Sequence, residues 1–145
     1  MTETVLINKS IGAPAEKVWA AIEGIGGLDR WFPIIEACRV EGAGVGAVRV
    51  LTLAGGAGEM RDRIVEIAPQ QMRLRYHRTH LPFPVSDYFG EVQVLAEAPG
   101  RARLVWTVRF EAVPEERDPI RALLQGAISE GVDGLARELG ASAPS

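Results

Sequence analysis

The chain has 145 residues, a formal net charge of -3, and 47% hydrophobic against 24% charged residues. That length fits one domain able to bury a core without disulfides or a structural metal. The slightly acidic balance excludes a nucleic-acid binder working by phosphate neutralisation, the composition excludes extensive disorder, and no apolar run reaches the ~20 residues of a membrane span. Met1 to Ser10 lacks the basic-then-apolar plan of a secretory signal, and the single cysteine, Cys38, can form no intrachain disulfide. A cytoplasmic protein is the expectation.

In chain order, Thr4 to Ile11 alternates Val5, Ile7 and Ile11 against Leu6, Asn8 and Ser10, which predicts a strand. Pro14 stands where a first helical residue belongs, and Glu16 follows in the electropositive first turn. Val18, Trp19 and Ile22 form one apolar stripe, and Gly24 stops the helix. A short helical turn from Leu28 to Phe32 ends before Pro33. From Ala37 to Ala112 the period changes to two, with strands expected over 37–41, 47–54, 59–67, 71–79, 86–96 and 102–112. Glycine- and proline-rich turns separate them, so the six form an antiparallel meander; parallel neighbours would need crossovers of about a dozen residues. Asp118-Pro119 reads as an N-cap and first residue of a final helix running to about Glu138. Its apolar stripe is Ile120, Leu123, Leu124, Ala127, Ile128, Gly131, Leu135 and Leu139. Residues 1–140 then make one domain, and Ala141 to Ser145 a flexible tail.

Packing suggests a register for the hairpin around Pro69. Pairing Ile64 with Leu74 covers both, sends Arg63 and Arg75 to solvent, and turns Asp62 and Tyr76 inward opposite one another. A slip of one residue would bring Arg63 in instead. An inward carboxylate beside phenols is a candidate acid/base cluster: burial raises a carboxylate pKa, and a phenol can donate to a developing enolate oxygen. The bland alternative is that these groups satisfy one another in the core. On the last helix, Ala127 and Gly131 put small residues at the centre of the stripe. An interior glycine costs ~1 kcal/mol relative to alanine, so either a ligand cavity or a close helix approach must justify it. Leu81-Pro82-Phe83-Pro84 is a stiffened loop with an apolar tip, suited to a gate or simply to a rigid hairpin. Trp106 shares a face with Leu104, Val108 and Phe110; a bulge in that strand would turn Arg109 and Glu111 inward instead.

The order β-α-α-β6-α is α+β, a curved antiparallel seven-stranded sheet around one long terminal helix. In this order, "IGAPAEKVWAAI", "WFPIIEACRVEG", "RDRIVEIAPQQMRLRYH", "LPFPVSDY", "LVWTVRF" and "EGVDGLAREL" resemble the helix-grip fold of the START and birch-pollen-allergen superfamily (SRPBCC), in its bacterial polyketide cyclase/dehydrase-like branch. The resemblance implies a cavity between helix and sheet that binds a small hydrophobic or aromatic ligand, with cofactor-independent aromatase/cyclase or dehydratase chemistry as the enzymatic option. It favours the inward Asp62 register, with Asp62, Tyr76 and Tyr88 as catalytic candidates. The implied cavity lining is Phe32, Ile64, Leu74, Arg78, Phe83, Val85, Gly90, Trp106, Arg109, Leu123, Ala127 and Gly131. Phe32 stands where the plant hormone-receptor relatives carry a ligand-clamping lysine, and neither their gate nor their latch is present, so hormone reception is not expected. The alternative is a co-chaperone-like protein-interaction module without catalysis, which a large exposed apolar patch would favour.

Other motifs carry no chemistry. Gly42, Gly44 and Gly46 lead into a strand, not the helix a nucleotide loop needs. His77 and His80 face different sides of a strand, so neither metal nor cofactor is expected. Arg61, Arg63, Arg73 and Arg75 read as a solvated outer face neutralised by glutamates. Oligomeric state is not written in the sequence.

Overall fold

The computed structural model describes residues 2–140; the expected tail, 141–145, lies outside them. The strands are β1 (Thr2–Ile11), β2 (Ile35–Glu41), β3 (Val48–Leu53), β4 (Gly58–Ala68), β5 (Arg73–His80), β6 (Val85–Ala98) and β7 (Arg101–Ala112). The helices are α1 (Ala15–Glu23), α2 (Leu28–Trp31) and α3 (Pro114–Glu138). One antiparallel sheet runs in the order β1-β7-β6-β5-β4-β3-β2, so the meander is laid out in sequence and β1 closes on β7. This is the helix-grip arrangement, with the helices gathered on the sheet's inner face. Among the described residues no helix is long and apolar enough to cross a membrane.

Local chemistry explains most boundaries. Pro14 is the N-cap of α1 rather than its first residue, in extended conformation at φ -61° and ψ 147°. Ala15, Val18, Trp19 and Ile22 are the buried face of α1. Gly27 starts α2 at φ 89°, a conformation that side chains disfavour. The last helix departs from expectation by beginning at Pro114, one turn and more before Asp118. Pro114 supplies the N-terminal proline, Glu115 and Glu116 supply the acidic first turn, and Pro119 sits inside the helix at the loss of one backbone hydrogen bond. Leu123 does not face the sheet as expected: it is 42% exposed. The buried face of α3 is Ile120, Leu124, Ile128, Gly131, Val132, Gly134, Leu135 and Ala136, and Ala127 lies half-buried at its margin.

The β4–β5 hairpin keeps the expected faces with a different register. Ile64 lies opposite Tyr76, Asp62 opposite Arg78 and Ile67 opposite Leu74, with an irregularity at Val65. The connection runs from Pro69 to Met72, which takes φ 51°, and this longer turn moves the pairing along. A slide of two residues preserves which side each residue faces, so Asp62 and Ile64 still point inward. Along β7, Leu104, Trp106, Val108 and Phe110 are buried, whereas Arg109 is exposed on the outer face. The irregularity lies on β6, between Ser86 and Phe89, and leaves the β7 alternation intact. Arg109 is therefore no lining residue of the interior. Three of the four outer arginines are paired with glutamates as expected, Arg61 with Glu59, Arg73 with Glu66 and Arg75 with Glu91, while Arg63 has no ion pair among the described residues.

Candidate functional site

Register places a row of polar side chains across four adjacent strands. Arg49 on β3 lies opposite Asp62 on β4, Asp62 opposite Arg78 on β5, and Arg78 opposite Tyr88 on β6. All four are buried, Asp62 completely. Arg49 Nε and Nη2 donate to Asp62 Oδ2 at 3.0 and 2.9 Å. Arg78 Nε donates to Oδ1 at 2.6 Å and Nη2 to Oδ2 at 3.1 Å. Arg49 Nη1 also donates to the Ile25 carbonyl at 3.0 Å. Ile25 itself stands at φ 68°, strained for a β-branched residue, and the guanidinium meets the carbonyl that this conformation presents.

This environment reverses the expected titration of Asp62. Burial alone pushes its carboxyl up, but Arg78 and Arg49 outweigh that and hold it below the ordinary range. Asp62 is thus an ionised hub whose lone pairs are taken by four N–H groups. Burial pushes the Tyr76 and Tyr88 phenols up, against the pull of Arg78, so both remain protonated donors at neutral pH. The guanidinium carbon of Arg78 lies 4.6 Å from the centroid of the Tyr88 ring, and that of Arg49 lies 4.9 Å from the Tyr76 ring. Such contacts offset part of the cost of burying cations.

An aromatic column stands on this polar row. Trp106 Nε1 donates to the Tyr76 hydroxyl at 3.1 Å, and Phe32 meets Trp106 edge-on with centroids 5.5 Å apart. Above Phe32 is Gly131: a Cβ built there would lie 2.3 Å from the Phe32 ring. One turn on, a Cβ at Gly134 would lie 2.1 Å from the Trp31 carbonyl oxygen. The small residues of α3 therefore seat α2 closely, and the opening expected beside Gly131 is filled by Phe32. Gly90 has a similar role in the sheet, because a Cβ there would lie 2.1 Å from the Tyr76 ring that crosses it. Ile64 and Leu74 are fully covered, while Phe83 and Val85 are half-buried and pack against the core at the sheet's end. Gly58 meets Pro82 there, joining the β3–β4 turn to the Phe83 loop.

The structure thus brings Asp62, Tyr76, Tyr88, Arg78, Trp106 and Phe32 together and leaves Arg109 and Leu123 outside. Sequence reasoning missed Arg49. Its signal was the opposite charge of Asp62, hidden because Val48-Arg49-Val50 reads as an ordinary alternation with arginine outward. A groove of about 450 Å³ lies on the outer face between Val65, Arg75, Phe89, Glu91, Thr107 and Arg109, and Tyr76 and Gly90 also line it. His77 stacks on Phe89 beside it, with centroids 4.4 Å apart. Among the described residues no group of three or more His, Cys, Asp or Glu side chains could hold a metal.

Residues 2–140 match a family described as polyketide cyclase / dehydrase and lipid transport. None of the curated proteins matches the sequence. Among solved structures, one from Thermobifida fusca is 28% identical at TM-score 0.83, covering 94% of this chain and 93% of its own. One from Bacillus thuringiensis is 23% identical at TM-score 0.83, covering 94% and 98%. Norcoclaurine synthase from Thalictrum flavum, solved with dopamine and hydroxybenzaldehyde, is 16% identical at TM-score 0.80, covering 96% and 87%; at that identity the likeness concerns fold.

Proposed function

The chain belongs to the polyketide cyclase / dehydrase and lipid transport family, and from that premise we propose that it binds a small, mostly hydrophobic organic molecule between α3 and the sheet. The observation that carries this reading is the buried polar row of Arg49, Asp62, Arg78 and Tyr88 beside the Trp106–Phe32 column. Replacing such a buried ionic cluster with apolar side chains is often neutral or stabilising, so a core built only for stability has little use for it. An apolar body with one polar end matches an aromatic column ending on guanidinium and phenol donors. Phe32 occupies the place beside Gly131 and would rotate aside to admit a guest.

Cyclase or dehydratase chemistry is the finer form of the proposal. In it, Tyr76, Tyr88 and Arg78 stabilise a developing enolate oxygen, while Asp62 holds the two guanidiniums in position. A charged Asp62 with its lone pairs engaged is a poor proton acceptor, so its part is to position the guanidiniums, and the protonated phenols act as hydrogen-bond donors to the developing oxyanion rather than as bases. Native mass spectrometry and thermal shift with a panel of aromatic and aliphatic molecules test the binding. The expected result is one-to-one adducts that strengthen in Phe32→Ala, which vacates the seat. Absence of adducts from both proteins would refute it. A protein-interaction module is the second reading, favoured by the outer groove with its exposed Phe89 and Val65; Phe89→Glu would abolish partner capture and leave the adducts intact.

A further inference from the structure

The interior row is not electrically balanced. It holds two guanidiniums, one carboxylate and two protonated phenols, which leaves one positive charge in excess. Among the described residues Asp62 is the only acidic partner of either arginine. The hydrogen bonds are just as uneven. Asp62 accepts four of them, whereas Arg78 donates only through Nε and Nη2, both to Asp62. Arg78 Nη1 has no hydrogen-bond partner among the described residues, and Arg78 keeps 9% exposure, so this nitrogen is not sealed within protein. A guanidinium has five N–H groups, and those left over form a site for an oxygen atom from outside the chain. An excess buried cation is costly until an anion joins it, and a charge-assisted hydrogen bond is about twice as strong as a neutral one.

We propose that the interior guest is an organic anion, an apolar or aromatic body carrying one carboxylate or similarly ionised oxygen group, received by Arg78 Nη1 between the rings of Tyr76 and Tyr88. This rests on the interior-binding reading and specifies its ligand. The anion brings the row to neutrality, and Asp62 fixes the guanidinium that receives it. The apolar body lies toward Trp106 and Phe32. A neutral molecule of the same shape would leave the excess charge uncompensated.

Calorimetric titration with a matched pair, 2-naphthoate and 2-naphthamide, separates charge from shape. The expected result is that naphthoate binds the wild type at least about ten-fold more tightly than naphthamide. Arg78→Met should erase that preference, Arg78→Lys should keep much of it, and Arg109→Ala, on the outer face, should leave it unchanged. Equal binding of both probes to the wild type would overturn the anion inference while leaving interior binding standing. Binding of neither would remove both. Loss of the preference in Arg109→Ala would place the anion in the outer groove and overturn the assignment to Arg78. Should Arg78→Met fail to fold, the wild-type pair with Arg78→Lys and Arg109→Ala still decides the matter.

Discussion

Three glycines on α3 give a graded test of how closely α2 is seated. Glycine costs about 1 kcal/mol against alanine inside a helix, so each Gly→Ala change starts from that gain. At Gly126 a Cβ meets nothing within 4 Å, and Gly126→Ala should stabilise by up to about 1 kcal/mol, roughly 3 °C in Tm for a chain this size. At Gly131 the new methyl would lie 2.3 Å from the Phe32 ring. Carbon contacts prefer about 3.5–4.0 Å, so the ring must retreat by roughly 1 Å and loosen its edge contact with Trp106. Overpacking of that kind costs about 1–3 kcal/mol, and after the helix gain Gly131→Ala should be destabilised by about 0–2 kcal/mol. At Gly134 the obstacle is the Trp31 carbonyl oxygen at 2.1 Å, backbone that no rotamer change removes. The whole of α2 must lift, and Gly134→Ala should lose about 2 kcal/mol net, the top of the overpacking range less the helix gain, or more. Urea unfolding monitored by tryptophan fluorescence, with unchanged m-values, ranks the three. A Gly134→Ala protein as stable as Gly126→Ala would refute the close approach of the two helices.

Asp62→Asn should destabilise by about 3–5 kcal/mol, since it leaves two buried guanidiniums without a carboxylate. Because Asp62 is held below its ordinary value of 3.8 when folded, its stabilisation is complete above that pH and is lost as pH falls through the folded value. The acid limb of a stability-versus-pH curve should therefore be shallower in Asp62→Asn than in the wild type, and identical limbs would remove the paired-carboxylate account. Both tyrosines of the chain, Tyr76 and Tyr88, are buried and raised, so absorbance near 295 nm should stay flat past pH 10 and rise only with alkaline unfolding; a reversible titration at the ordinary phenol value would contradict their burial. Trp106→Phe removes the donor to the Tyr76 hydroxyl and should cost about 1 kcal/mol in chemical denaturation, with no loss meaning that the bond is not formed. Burial pushes the half-buried Cys38 thiol up, so an aromatic disulfide reagent at pH 8 should label it more slowly than free cysteine.

The fold was largely legible because alternation and turn residues report which face each residue takes, and a sheet needs little more. Register was less legible for the same reason. Sliding β4 against β5 by two residues leaves Asp62, Ile64, Leu74 and Tyr76 on the faces the pattern demands, so the sequence does not distinguish the pairings. The start of α3 was obscured by two competing prolines, each followed by good helix formers, of which Pro114 begins the helix. Gly131 illustrates a different limit: a small residue serves equally to leave a space and to admit a neighbour, and only the position of Phe32 tells which. Arg49 was hidden because cross-strand neighbours lie apart in the chain, and its partnership with Asp62 needs the β3–β4 register.

The sheet order also sets a timetable for folding. From β2 to β7 each strand pairs with the one just made, through short connections that close early. β1 is synthesised before them all, yet its partner in the sheet is β7, with Thr2 opposite Glu111 and Ile11 opposite Ala102. At translation rates of about 5–20 residues per second, β1 waits on the order of 5–20 s before β7 exists. During that interval the Val5, Ile7 and Ile11 face has no sheet to join. β1 is therefore the last strand to find its partner, and its docking on β7 is the step that completes the sheet.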